Sequence, residues 1–113
     1  MKLVVAVIRP FMLDAVKEEL DSVGVTGMTI TETEGYGRQR GHTEVFRGSE
    51  YVIDMVPKLR VEILVDDKEV DDVVSIVVNT ARTDRIGDGK IWVIPVGGVR
   101  SVRTGLDDRD VVR

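Results

Sequence analysis

Leu3-Val4-Val5-Ala6-Val7-Ile8 is an unbroken apolar run, mostly β-branched, closed by Arg9-Pro10. Its length and composition predict a strand buried on both faces. Leu13, Val16, Leu20 and Val23 then recur at helical spacing, forming one stripe with Asp14, Lys17, Glu18, Glu19 and Asp21 on the wet side. Gly24 follows, where a left-handed helix cap is expected. The threonine-rich piece from Met28 to Glu34 predicts a half-exposed strand. The pattern then stops: Gly35 to Pro57 is polar, aperiodic and too long for a turn. Beyond it Leu59, Val61, Ile63 and Val65 alternate with Lys58, Arg60, Glu62 and Leu64, a strand of period two. Asp66-Asp67 places negative charge at a helix start. Val70, Val73, Val74, Val77, Val78 and Ala81 predict the helix itself, periodicity outweighing valine's weak propensity. Ile91 to Ile94 is another apolar strand, with Pro95 marking its end or an edge. Val99 to Val102 has the composition of a short extra strand.

The order is strand, helix, strand, long loop, strand, helix, strand. Two strand-helix-strand halves in tandem predict an α+β, ferredoxin-like split βαβ sandwich (βαββαβ). Right-handed crossovers put both helices on one face of the sheet. The first and last strands are apolar on both sides, and the chain has no third layer to cover them. A second copy is the simplest cover, so the strand pattern alone predicts a homo-oligomer.

Length, 113 residues, fits one domain, 1–113, with the long loop at about 37–55. The chain has no cysteine, which removes disulfides, thiolate metal sites and thiol nucleophiles and suits a reducing cytoplasm. The N-terminal stretch reads as a strand and not as a signal peptide, and no segment approaches the length of a membrane span. With 20 acidic and 16 basic residues the net charge is −4, a poor match for a nonspecific nucleic-acid coat. His42, the lone histidine, has no partner at metal-ligand spacing, and no serine, histidine and acid suggest a triad.

Two features carry candidate chemistry. In Thr83-Asp84-Arg85-Ile86-Gly87-Asp88-Gly89-Lys90, glycines flanking an aspartate permit a turn that aims several N–H groups into one anion-holding concavity. Lys90, Arg82 or Arg85 would add charge. The same turn is also a common helix-to-strand connection, and the P-loop spacing is absent. Arg38, Arg40 and Lys58 at the neck of the long loop, with Arg100 and Arg103, suggest a polyanionic small ligand in an otherwise acidic protein. An ordinary solvated rim of charge is the plainer reading.

With these pieces placed, the chain resembles the PII nitrogen-regulatory signalling proteins from Met1 to Gly105. The resemblance rests on Gly35-Tyr36-Gly37-Arg38-Gln39-Arg40-Gly41-His42-Thr43-Glu44 running into Phe46-Arg47-Gly48-Ser49-Glu50-Tyr51. It rests equally on Thr83-x-x-x-Gly87-Asp88-Gly89-Lys90-Ile91-Trp92-Val93, with a weaker match at Arg103-Thr104-Gly105. It implies a homotrimer with nucleotide sites between subunits, binding ATP or ADP, and ATP with Mg²⁺ and 2-oxoglutarate. Gly87, Asp88, Gly89 and Lys90 would form the phosphate loop. Gly37, Arg38 and Gln39 would approach from the base of the long loop. Thr29 and the Leu64 backbone would contact adenine, and Arg103 would reach the phosphates from the neighbouring subunit. Gln39 would give an oxygen to Mg²⁺. The 2-oxoglutarate site would comprise Gln39, Arg40, Gly41, Lys58 and Gly87.

The long loop is then a signalling arm able to project roughly 30 Å as a hairpin. The resemblance implies docking on ammonium-transport channels and on nitrogen-assimilation enzymes or their regulators. Arg47 matches the residue inserted into the channel mouth. Tyr51 matches the tyrosine modified by a nucleotidyltransferase, and Ser49 the serine phosphorylated in some members. The protein would be a cytoplasmic adaptor and not an enzyme, recruited to the membrane's inner face through a channel. Three positions depart from the family pattern. Phe46 replaces a tyrosine and Arg40 a lysine. Ser101 stands where the Arg-x-Arg-Thr-Gly pattern begins, with Arg100 one residue early, so either the backbone adjusts or a phosphate contact is lost. Two other readings of the sandwich are a hydrolase of acyl phosphates or phosphate esters, which would need a positioned asparagine where only Asn79 exists, and an RNA-binding module, which would need more strand aromatics than Trp92.

Overall fold

The structure, a computed structural model, describes residues 1–36, 43–46, 49–52 and 55–107, with side chains for 1–36 and 55–107. Six strands and two helices run in the order β1 (Lys2–Ile8), α1 (Leu13–Ser22), β2 (Thr29–Gly35), β3 (Thr43–Phe46), β4 (Ser49–Val52), β5 (Val56–Val65), α2 (Val70–Ala81) and β6 (Gly89–Pro95). Single 3₁₀ turns, Pro10–Met12 and Asp67–Glu69, lead into the helices. Four strands form one sheet in the order β2-β5-β1-β6, and β3-β4 form a separate two-stranded sheet. Every neighbour in the main sheet is antiparallel. This is the ferredoxin-like βαββαβ arrangement.

Period explains the layering. In β1, Val4, Ala6 and Ile8 face the helices, and Val61, Ile63 and Val65 do so from β5. They meet Val16 and Leu20 of α1, Val73, Val77 and Ala81 of α2, and Val25. Burying each valine, leucine or isoleucine of this set contributes about 1.5–3 kcal/mol. Cutting the fully buried Ile63 back to alanine would cost about 2–5 kcal/mol.

Gly24 caps α1 with φ 84°, as the sequence pattern predicts. The stripe ends one turn earlier than expected, however. Val23 lies beyond the last helical residue and is 53% exposed, because the chain is already turning toward β2. The two outer strands of the expected pattern also differ from each other. Central β1 is mostly buried, whereas β6 is an edge strand with Trp92, Val93 and Ile94 each about two-fifths exposed. Pro95 closes β6, where its missing donor costs no ladder bond. The extra strand expected at Val99 to Val102 does not form. That stretch has one isolated bridge, Arg100 to Asp107, and turns on the Gly105 N–H to Ser101 O bond of 2.8 Å. The arm expected to extend as a hairpin contains one: Thr43 pairs with Val52 and Glu44 with Tyr51.

On the face away from the helices, Glu62, Val5 and Trp92 are level with one another, and Val5 is fully buried. Arg60 donates from Nε to Glu62 Oε1 at 3.0 Å and lies 5.6 Å from the Trp92 ring centroid. Leu3, Leu64 and Ile94 make up the next level.

Candidate functional site

The antiparallel register brings four chain ends to one end of the main sheet. Ile8 pairs with both Leu59 and Gly89, and Gly35 with Val56. Arg9 therefore leaves β1, the long arm leaves β2 and re-enters at β5, and the Thr83–Asp88 loop enters β6, all at the same edge.

The loop has no ladder of its own and is organised by one carboxylate. Asp88 accepts from the Thr83 amide at 2.7 Å, the Asp84 amide at 2.9 Å and the Thr83 hydroxyl. Arg9 Nε donates to the same group at 3.2 Å. The Arg9 guanidinium also donates to the Ile86 carbonyl at 2.9 Å, and the Asp88 amide donates to Arg85 O at 3.3 Å. The Thr83 side chain leads the causes that hold the Asp88 carboxyl well below the usual carboxylate range, with the Thr83 amide, Arg9 and the Asp84 amide adding to it against desolvation. Asp84 sits at φ 64°, the only non-glycine positive φ among the described residues. Aspartate tolerates that region better than most residues, and its amide bond to Asp88 holds it there. Gly89 must be glycine: at φ 113° its Cβ would lie 1.8 Å from the Val7 carbonyl oxygen.

Lys58 completes the cluster. It is 7% exposed and donates its ammonium to the Gly87 carbonyl. Burial, then the nearby Arg9 charge, push its pKa down, with Asp88 opposing. Its stem passes over the end of β2, where a Cβ on Gly35 would stand 3.3 Å from Lys58 Cγ. One side chain thus touches the root of the arm and the glycine loop together. The amides of Ile86 and Gly87 make no hydrogen bond among the described residues, and Lys90 follows them, exposed. Backbone donors beside a cation are the chemistry of an anion cradle.

Of the residues expected to act together, the structure gathers Lys58, Gly87, Asp88, Gly89 and Lys90. Thr29 opens β2 opposite Glu62. Leu64 pairs with Leu3, five residues along β5 from Leu59 and about 17 Å from the loop end of the sheet. Arg103 lies exposed in the turn after Ser101. Within one chain Thr29 and Leu64 stand away from the loop end of the sheet. Gly37, Arg38, Gln39, Arg40, Gly41 and Arg47 lie outside the described residues, and Ser49 and Tyr51 lie in β4. At Ser101 the backbone has its own arrangement: its hydroxyl accepts the Thr104 amide at 3.3 Å, while Arg100 reaches the Gly105 carbonyl at 3.5 Å.

One contributor was not legible as a site residue, and another was legible in a different role. Arg9 reads in sequence as a strand stop, and its only signal is a cation at a strand exit, before a proline. Asp88 reads as part of a phosphate loop, but its carboxylate is occupied in shaping that loop.

Residues 1–106 match the family model described as nitrogen regulatory protein P-II. The chain is 50% identical over 112 residues to the nitrogen regulatory protein P-II of Pasteurella multocida (strain Pm70), covering 99% of this chain and 100% of that one. It is 53% identical over 108 residues to nitrogen regulatory protein P-II 1 of Escherichia coli (strain K12), covering 96% of each. The same figures hold for nitrogen regulatory protein P-II of Klebsiella oxytoca: 53% identity over 108 residues, 96% of each chain.

Proposed function

The chain belongs to the nitrogen regulatory protein P-II family, and from that premise we propose that it is an adaptor that senses ATP or ADP together with 2-oxoglutarate. Its role is nitrogen regulatory signalling, and the relatives' names are those of regulators and not of enzymes. In this reading it works as a homotrimer, with the exposed β6 edge and the uncovered sheet face turned toward other copies. The arm between β2 and β5 docks on an ammonium-transport channel and on nitrogen-assimilation enzymes or their regulators, using Arg47. A nucleotidyltransferase modifying Tyr51, or a kinase acting on Ser49, would add bulk and negative charge that oppose docking.

The observation that carries the reading is Lys58, which contacts the arm's root at Gly35 and the loop at Gly87 at once. A ligand carboxylate there would draw the desolvated ammonium into a stronger, charge-assisted bond. That bond would alter what holds the arm's base. The nucleotide phosphates would take the amides of Ile86 and Gly87 with Lys90, joined by Arg103 of a neighbouring copy. Thr29 and Leu64 would receive the adenine, while Gly37, Arg38, Gln39, Arg40 and Gly41 close the site from the arm.

Among the described residues no group of three or more His, Asp or Glu is placed to hold a metal, and Asp88 is taken up by its internal bonds. Mg²⁺ accordingly fits this site as a companion of the phosphates, with Gln39 giving one oxygen. When bound, the ion would supply positive charge that favours both anionic ligands, so that each ligand's affinity would depend on the other.

Calorimetry tests this directly. 2-Oxoglutarate should bind in the presence of Mg-ATP and lose most of its affinity without it. Equal binding with and without nucleotide would overturn the coupled site. Among the described residues no helix is long and apolar enough to cross a membrane; in this reading the protein reaches the membrane through the channel partner.

A further inference from the structure

The Thr83–Asp88 loop takes its shape from a residue 79 positions away in sequence. Arg9 is well placed to impose it. As the residue before a proline it is held extended, at φ −63° and ψ 136°, and its carbonyl accepts the Met12 amide at 3.0 Å in the turn that follows. Its side chain is launched from a fixed base and is only 15% exposed. Two of its N–H groups are spent on two different loop acceptors, the Asp88 carboxylate and the Ile86 carbonyl. A planar guanidinium holds those two bonds in a set mutual geometry, which a lysine ammonium cannot reproduce.

We propose that Arg9 is a positioning residue for the anion site, fixing the 83–89 backbone by its forked hold on Asp88 and Ile86 so that the cradle is already formed when a phosphate arrives. The identity of the ligand rests on the nucleotide reading above; the anchoring does not. Arg9 acts through Asp88 and Ile86 and makes no ligand contact of its own. The gain for binding is that the loop's ordering is already complete in the empty protein.

The test uses the full chain and its Arg9→Lys, Arg9→Gln, Asp88→Asn and Arg9→Gln/Asp88→Asn variants. Mg-ATP affinity is measured by calorimetry, and amide hydrogen exchange by NMR in ligand-free protein. Arg9→Lys should weaken Mg-ATP about tenfold and speed exchange at Thr83 and Asp84 by a similar factor, while core amides such as Val61 and Ile63 keep their protection. The double variant should lose less than the sum of the two single losses, because the Arg9–Asp88 bond is counted in both. Arg9→Lys affinity within about twofold of the parent, with unchanged loop exchange, would overturn the inference. So would additive losses in the double variant, which would make Arg9 a direct ligand contact. If Arg9→Gln does not fold, the lysine variant still decides. If the parent chain binds no Mg-ATP, the nucleotide reading fails, and the exchange comparison still judges the anchor by itself.

Discussion

Replacing Gly89 by alanine attacks the junction between β1 and β6 where the loop enters the sheet. The added Cβ would sit 1.8 Å from Val7 O, 2.9 Å from Val7 C and 3.3 Å from Ile8 Cα. All three are backbone atoms of the central strand, so no side-chain rotation relieves them. The residue would also be held at φ 113°, at a strain of about 1–3 kcal/mol. Moving β6 away to make room would give up one or two ladder bonds at about 1 kcal/mol each. Together these predict a loss of about 3 kcal/mol, or roughly a 12 °C fall in Tm for a chain of this size. The comparison set is built into the protein. Gly97 has no atom within 4 Å of its would-be Cβ, and Gly105 has the same open space but φ +70°. Gly97→Ala should stay within about 0.5 kcal/mol of the parent, and Gly105→Ala should lose about 1 kcal/mol from φ alone. Thermal unfolding followed by circular dichroism, at matched protein concentration, reads all three. A Gly89→Ala protein no less stable than Gly105→Ala would refute the argument from close approach.

Other expectations follow from the same cluster. The Asp88 carboxyl is lowered, so its stabilisation of the loop is complete above the unfolded carboxylate value of about 4 and fades only as pH falls through the still lower folded value. Exchange protection at Thr83 and Asp84 should hold steady from pH 8 to about pH 4; a loss centred above pH 5 would contradict it. Lys58 is disfavoured as a cation by burial, so Lys58→Met should leave stability within about 1 kcal/mol of the parent while abolishing 2-oxoglutarate binding. Denaturant titration and calorimetry separate the two effects, and a large loss of stability would show that the charge is needed for folding. Trp92 is the single tryptophan and is 38% exposed in the isolated chain. Its emission should shift to the blue as dilute protein is concentrated into oligomers, and a spectrum independent of concentration across the association range measured by ultracentrifugation would count against burial of that face.

The two helices and β5 were legible because their side chains recur or alternate with a period that one backbone geometry satisfies, and β1 because an unbroken β-branched run stops at Arg9-Pro10. Sequence pattern lost its hold where local chemistry replaced period. At 99–102 the valines suggest a strand, but Ser101, Thr104 and Gly105 close a turn with their own hydrogen bonds. At Val23 the apolar spacing outlasts the helix. The glycine loop was legible as a candidate cradle chiefly through the resemblance, since by itself the pattern equally fits a common helix-to-strand turn. Its internal architecture was not, since the bonds from Arg9 to Asp88 and from Lys58 to Gly87 join residues 79 and 29 positions apart, a pairing no local pattern encodes. That Thr29, Leu64 and Arg103 share a site with the loop is implied only by the resemblance, because no pattern within one chain joins them.

The register of β5 against β1 restricts how any message can travel. Lys58 and Leu59 occupy opposite faces of the sheet. If β5 slid by one residue, Leu59 would be turned out and Lys58 driven into the valine-lined interior. A one-residue slip is thus opposed by the burial of a charge, and any influence of the body on the segment between β2 and β5 has to pass through Gly35 and Val56, the last paired couple of those strands.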